Sequence, residues 1–226
     1  EEIDFFQSIN PLGFILFGRN FDNKKQINSL ILQLRENSKN PDLLIFIDQE
    51  GGKVQRLKNS EFIEFPPQKE FGKIYIEDDN LALDLAYKSS YLMGTQLKEV
   101  GIDVDFSPVC DLFYEDAHDI IGNRSFGKQP NLVYKLSSIF CDGLLDSGII
   151  PVPKHFPGHG RSLFDTHLKK SVINVKYEEL VKTDLVPFQV LDKSLFVMLA
   201  HIIYPQIDNH VATYSRKMIK NILRKD

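Results

Sequence analysis

The chain has 226 residues, is 42% hydrophobic and carries a formal net charge of −4, which suits one globular domain with a sizeable core. No basic tract or aromatic-interleaved basic stripe appears, so a nucleic-acid partner is not expected. No apolar run approaches the roughly 18 residues of a membrane-spanning helix, and no secretory segment opens the chain. A cytoplasmic protein without membrane contact is therefore expected, with Cys110 and Cys141 reduced.

Taken in order, Leu12 to Gly18 is a continuous apolar run, the pattern of a strand buried on both faces, and Arg19 follows it. Asp22 and Asn23 cap a helix whose Ile27, Leu30, Ile31 and Leu34 fall on one face. Leu43 to Ile47 is a second buried run, ending in Asp48-Gln49-Glu50-Gly51-Gly52. The stretch from Lys53 to about residue 77, which holds Pro66 and Pro67, reads as an extended loop region. A longer helix spans about 80–100, with Leu85, Met93, Leu97 and Val100 facing the core and Gly101 past its end. Val104 to Pro108 is the third run, and an acidic, aromatic loop to Gly127 follows. Pro130 starts a helix through Asp146, with Val133, Leu136, Phe140 and Leu144 inward and Gly148 as its cap.

The fourth apolar run, Gly148 to Val152, leads into the element around which the chain is organised. Lys154 and His155 place two cationic groups at a strand end, and Pro157, Gly158 and Gly160 make the following loop non-helical. The loop closes with Asp165-Thr166-His167. Residues two apart on an extended segment project to the same side, so Asp165 is placed to orient the His167 ring and raise its basicity. Three histidines, His155, His159 and His167, share this one loop, but their spacing lacks a helical face and no Cys lies near, so no metal is assigned. A helix near 177–191, interrupted at Pro187, precedes the fifth run, Leu195 to Ala200, which ends in His201. A last helix starts at Ser215.

Alternation of buried strand, polar loop and amphipathic helix means an α/β fold with a parallel sheet. Each strand hands over to a polar group at its C-terminal end: Arg19, Asp48, Asp111, Lys154 with His155, and His201. In a (β/α)8 barrel such ends converge on one mouth, whereas a doubly wound sheet concentrates them at a single switch point. With no Gly-x-Gly-x-x-Gly loop after the first strand, a nucleotide site is not indicated. A TIM-type barrel is expected, with about five βα units over residues 1–226, read as a single domain incomplete at both ends.

Ile47-Asp48-Gln49-Glu50-Gly51-Gly52-Lys53-Val54-Gln55-Arg56, Gly122-Asn123-Arg124-Ser125-Phe126, Lys154-His155-Phe156-Pro157-Gly158-His159-Gly160 with Asp165-Thr166-His167, and Ala200-His201 occur in this order. Together they resemble the bacterial β-N-acetylhexosaminidases of glycoside hydrolase family 3, over a stretch from about Leu12 to the last residue. The resemblance implies a cytoplasmic, cofactor-free retaining hydrolase, taken here as a monomer. It would remove non-reducing terminal N-acetylglucosamine from anhydro-muropeptides during peptidoglycan recycling. By motif match His167 would be the general acid/base and Asp165 its partner. Asp48, Arg56, Arg124, Lys154, His155 and His201 would bind the sugar. The family's nucleophilic Asp is expected beyond residue 226. Two other readings stand beside this one: a chain without its nucleophile that only binds sugar, and a metal-dependent barrel hydrolase built on the histidines.

Overall fold

A computed structural model describes residues 2–164 and 170–224. The first half contains α1 (Glu2–Ile9), β1 (Gly13–Leu16), α2 (Lys24–Glu36), β2 (Leu44–Ile47), the hairpin β3 (Gln49–Gly51) and β4 (Val54–Gln55), α3 (Gln68–Glu77), α4 (Asp79–Glu99) and β5 (Val104–Asp105). The second half adds α5 (Pro130–Asp146), β6 (Ile150–Pro151), β7 (Lys154–Phe156), β8 (Ser171–Val172), α6 (Tyr177–Lys182), β9 (Met198–Leu199), β10 (Ile202–Tyr204) and β11 (Asp208–Val211).

Strands β1, β2, β5 and β6 form one parallel sheet in that order, with Phe14 opposite Ile45, Ile47 opposite Asp105 and Val104 opposite Ile150. The ladder becomes irregular past β6 because Pro151 and Pro153 have no N–H to donate. The Lys154 amide still donates to Pro108, and that of Cys110 donates to Lys154. Strand β7 then pairs in parallel with β9, while β10 lies between β8 and the antiparallel β11. Among the described residues the strands fall into separate sheets and do not close a barrel, so the established architecture is an α/β fold around a parallel sheet.

Side-chain spacing explains the main core. Ile27 and Ile31 of α2 bury one face against Ile45 and Ile47 of β2, and Met93, Leu97, Val133, Leu136, Phe140 and Leu144 complete the cluster. Each fully buried Leu or Ile contributes about 1.5–3 kcal/mol. The Asn23 side chain accepts from the Gln26 amide at 2.9 Å, the expected cap. Gly101 and Gly148 follow α4 and α5 with φ of +93° and +83°, the left-handed turn that ends a helix.

Several expectations are corrected. Leu85 is exposed, because the core face of α4 carries small residues instead: Ala82, Ala86, Ser90 and Gly94, which let α5 approach closely. Ile15 of β1 is 50% exposed, so that strand is not buried on both faces. The supposed loop after Pro67 is helix α3, whose Phe71 enters the core. The helix expected over 177–191 splits into α6 and a 3-10 segment, Val186–Lys193, with Pro187 in its first turn. Ser215 acts as a cap rather than a first helical residue: its hydroxyl accepts from the Met218 amide at 3.0 Å, and a π-helical segment runs over Met218–Leu223.

Candidate active site

A cleft of about 510 Å³ opens at the C-terminal ends of the parallel strands. Asp48, Arg56, Arg124, Lys154, His155 and His201 all line it, although they come from well-separated segments. Ile15, Phe17, Phe106 and Met198 supply an apolar wall. Asp165 and His167, the expected acid/base pair, lie outside the described residues. Arg19 does not line the cleft; its guanidinium sits 4.6 Å from the Phe17 ring centroid.

The floor of the cleft is a buried ion cluster. Asp48 follows β2 directly, and Glu50, two residues on in extended backbone, reaches the same cation. Lys154 Nζ lies 2.9 Å from Asp48 Oδ1 and 2.5 Å from Glu50 Oε1, with its side chain only 1% exposed. Arg124 grips Glu50 in bidentate fashion, Nε at 2.8 Å and Nη2 at 2.7 Å. Arg56 Nη2 donates to Asp48 Oδ2 at 3.1 Å. Three cations against two carboxylates leave the cluster one positive charge in excess (3 − 2).

These contacts decide the protonation states. Burial pushes Asp48 and Glu50 up, but Lys154 with Arg56 at one, and Lys154 with Arg124 at the other, outweigh it and hold both carboxyls below their ordinary range. Burial would lower Lys154, yet Glu50 and Asp48 raise it, so it stays charged. Beneath them Asp105 behaves in the opposite way. Its burial, against the Gln49 amide that donates to Oδ1 at 2.8 Å, lifts its carboxyl well above the usual value, and the Asp48 and Glu50 charges add to the rise. The Gln49 side chain points away from the cluster and ties the hairpin, accepting from the Arg56 amide at 2.8 Å and the Leu57 amide at 3.1 Å.

The second cluster holds the loop histidines. Asp111 is fully buried behind the cleft, with Oδ2 2.6 Å from His155 Nδ1. Its Oδ1 accepts from the His155 amide at 3.2 Å and the His159 amide at 2.6 Å. Burial raises Asp111, but His155 and His159 overcome this and lower it. Burial also pulls the His159 imidazole down to about 4, against the attraction of Asp111. Gly160 is required here by contact rather than by φ, since a Cβ would lie 1.8 Å from the Leu112 carbonyl oxygen. Farther along the loop the Tyr204 hydroxyl donates to the Gly158 carbonyl. His201 is exposed at the rim, with a long 3.4 Å contact from Nδ1 to Thr213 Oγ1.

Sequence analysis gave Glu50, Asp111 and His159 no catalytic or sugar-binding role, although Asp111 stood among the strand-end polar groups and His159 among the loop histidines. The Asp48-x-Glu50 spacing carried the signal for the first; the other two act through backbone amides and burial, which no spacing reveals. Among the described residues no group of three or more His, Cys, Asp or Glu side chains is arranged to hold a metal ion. Among them, too, no helix is long and apolar enough to cross a membrane.

Comparison with known proteins places this geometry. A Beta-hexosaminidase of Nitrosomonas eutropha is 39% identical over 229 residues, covering 100% of this chain and 65% of that protein. One of Tolumonas auensis is 40% identical, covering 94% of the chain and 62% of the relative. The chain thus spans less than two thirds of the length of these curated relatives. A NagZ crystal structure from Neisseria gonorrhoeae, in complex with N-trifluoroacetyl-D-glucosamine, superposes with a TM-score of 0.90 at 37% identity over 95% of this chain and 62% of that one. A family 3 β-N-acetylglucosaminidase from Paenibacillus gives 0.89 at 31% identity, over 98% of this chain and 42% of that one. Residues 9–226 match the family described as Glycosyl hydrolase family 3 N terminal domain, and to that family the chain belongs.

Proposed function

We propose that the protein is a retaining β-N-acetylhexosaminidase that removes non-reducing terminal β-N-acetylglucosamine from cell-wall-derived muropeptides in peptidoglycan recycling. On this reading residues 1–226 form one catalytic domain, and the parallel sheet belongs to a (β/α)8 barrel. The observation that carries it is convergence: Asp48, Arg56, Arg124, Lys154, His155 and His201 meet in one cleft at the strand ends.

The chemistry follows from the residues. Each oxygen of the Asp48 carboxylate already accepts one cationic N–H and keeps acceptor capacity for a sugar hydroxyl. Lys154 and Arg124 are committed to Glu50, so they act chiefly by fixing the acceptors. The apolar wall of Phe17 and Phe106 suits a sugar-ring face. A retaining glycosidase needs a nucleophilic carboxylate on one side of the anomeric carbon and a proton donor on the other. His167, with Asp165 beside it in sequence, takes the proton-donor role, and the nucleophile comes from sequence beyond residue 226.

The test is release of p-nitrophenol from its N-acetyl-β-D-glucosaminide, by the chain alone and extended to the length of its relatives. The extended protein should turn over. His167→Ala should cut turnover of a natural muropeptide by about 10²–10⁴-fold, the range of general acid–base catalysis, and hurt the activated aryl glycoside less. Equal losses on both substrates would refute the acid/base assignment.

A further inference from the structure

Asp111 is fully buried, and both of its oxygens are turned onto the segment that carries the loop histidines. Oδ1 accepts two backbone amides, from His159 at 2.6 Å and His155 at 3.2 Å, so the carboxyl cannot rotate without losing both. That fixes Oδ2 at 2.6 Å from His155 Nδ1. A contact this short needs one proton between its partners. Two donated N–H groups on Oδ1 are the pattern of an ionised carboxylate, and a carboxylate only accepts, so the proton sits on Nδ1.

The geometry points to Asp111 as a positioning residue that fixes His155 in its Nδ1–H tautomer and presents Nε2 to the cleft. In that tautomer the Nε2 lone pair accepts from a sugar hydroxyl. Arg56, Arg124 and Lys154 can only donate, so this adds an acceptor beside Asp48. The inference deepens the sugar-site reading of His155 and, for the ligand contact, rests on it.

Asp111→Asn is the discriminating change. Its amide oxygen can still accept both backbone N–H groups, but the NH₂ now facing Nδ1 can only donate, which drives the ring proton to Nε2. Two-bond ¹H–¹⁵N spectra of the ¹⁵N-histidine-labelled chain read the tautomer directly, with His155→Gln assigning the resonances. We expect His155 protonated at Nδ1 in the wild type and at Nε2 in Asp111→Asn. The dissociation constant for N-acetylglucosamine should be about tenfold higher in the variant, the effect of one lost hydrogen bond. A wild-type proton on Nε2 overturns the assignment, and that measurement does not depend on the variant folding. An unchanged tautomer in folded Asp111→Asn overturns it as well. A switched tautomer with unchanged sugar affinity removes Asp111 from substrate positioning. If N-acetylglucosamine does not bind the wild type, the sugar-site reading itself fails, while the spectra still decide the Asp111 assignment.

Discussion

Replacing Glu50 by Ala tests whether the cleft floor is held together by paired charge. The Glu50 side chain is 1% exposed and meets Arg124 at 2.7 and 2.8 Å and Lys154 at 2.5 Å. Without it Lys154 keeps only Asp48, Arg124 keeps only the Ile120 carbonyl at 3.0 Å, and the excess charge rises from one (3 − 2) to two (3 − 1). Removing one partner of a buried ion pair costs about 3–5 kcal/mol, because the desolvated charge left behind is uncompensated. For a domain of this length each kcal/mol lowers Tm by about 2–4 °C, so the variant should melt about 6–20 °C below the wild type. Glu50→Gln, which keeps the shape and one acceptor, should lose less. The deficit should persist at high salt, since buried pairs are weakly screened. Adding Arg124→Ala should cost less than the sum of the single changes, because the stranded cation goes with its partner. A Glu50→Ala protein melting within about 2 °C of the wild type, or strictly additive single changes, would refute the argument.

Two further predictions concern stability. His159 titrates at about 4 when folded, against an ordinary value near 6.5, so between those limits the unfolded chain binds more protons. Its contribution is complete above about pH 6.5 and falls by about 3 kcal/mol as the pH drops to 4. Melting followed across that window should show the decline in the wild type and a shallower one in His159→Gln; identical slopes would remove His159 as the cause. Gly143→Ala would put a Cβ 2.1 Å from Ser90 Oγ and 2.6 Å from the Tyr87 carbonyl oxygen. It should lose about 1–3 kcal/mol through overpacking, although Ala is the better helix former by about 1 kcal/mol. A Gly143→Ala protein more stable than the wild type would show that α4 and α5 part without penalty.

The sequence by itself determined the local elements and the identity of much of the cleft. Apolar runs and 3.6-residue periodicity suffice to mark β1, β2, α2 and α5, because each depends on burying one stripe of its own residues. Polar groups at strand ends named Asp48, Lys154 and His155 for a related reason: parallel strands put their C-terminal ends on one side of a sheet. Long-range approach is a different matter. Leu85 is the larger apolar residue and the natural core candidate by type, yet its neighbour Ala86 is buried and Leu85 is not: Ala86 lies on the helix face of Met93 and Leu97, where the close approach of α4 and α5 selects small residues. Glu50 reads as one acid in a loop until Arg124, 74 residues away, closes on it. Asp111 reads as a strand-end carboxylate, and only the fold brings the His155 ring and two backbone amides onto it from about 44 to 48 residues away. Ion pairing and hydrogen bonding act over a few ångströms whatever the separation along the chain, so the protonation states of the site belong to the tertiary structure alone.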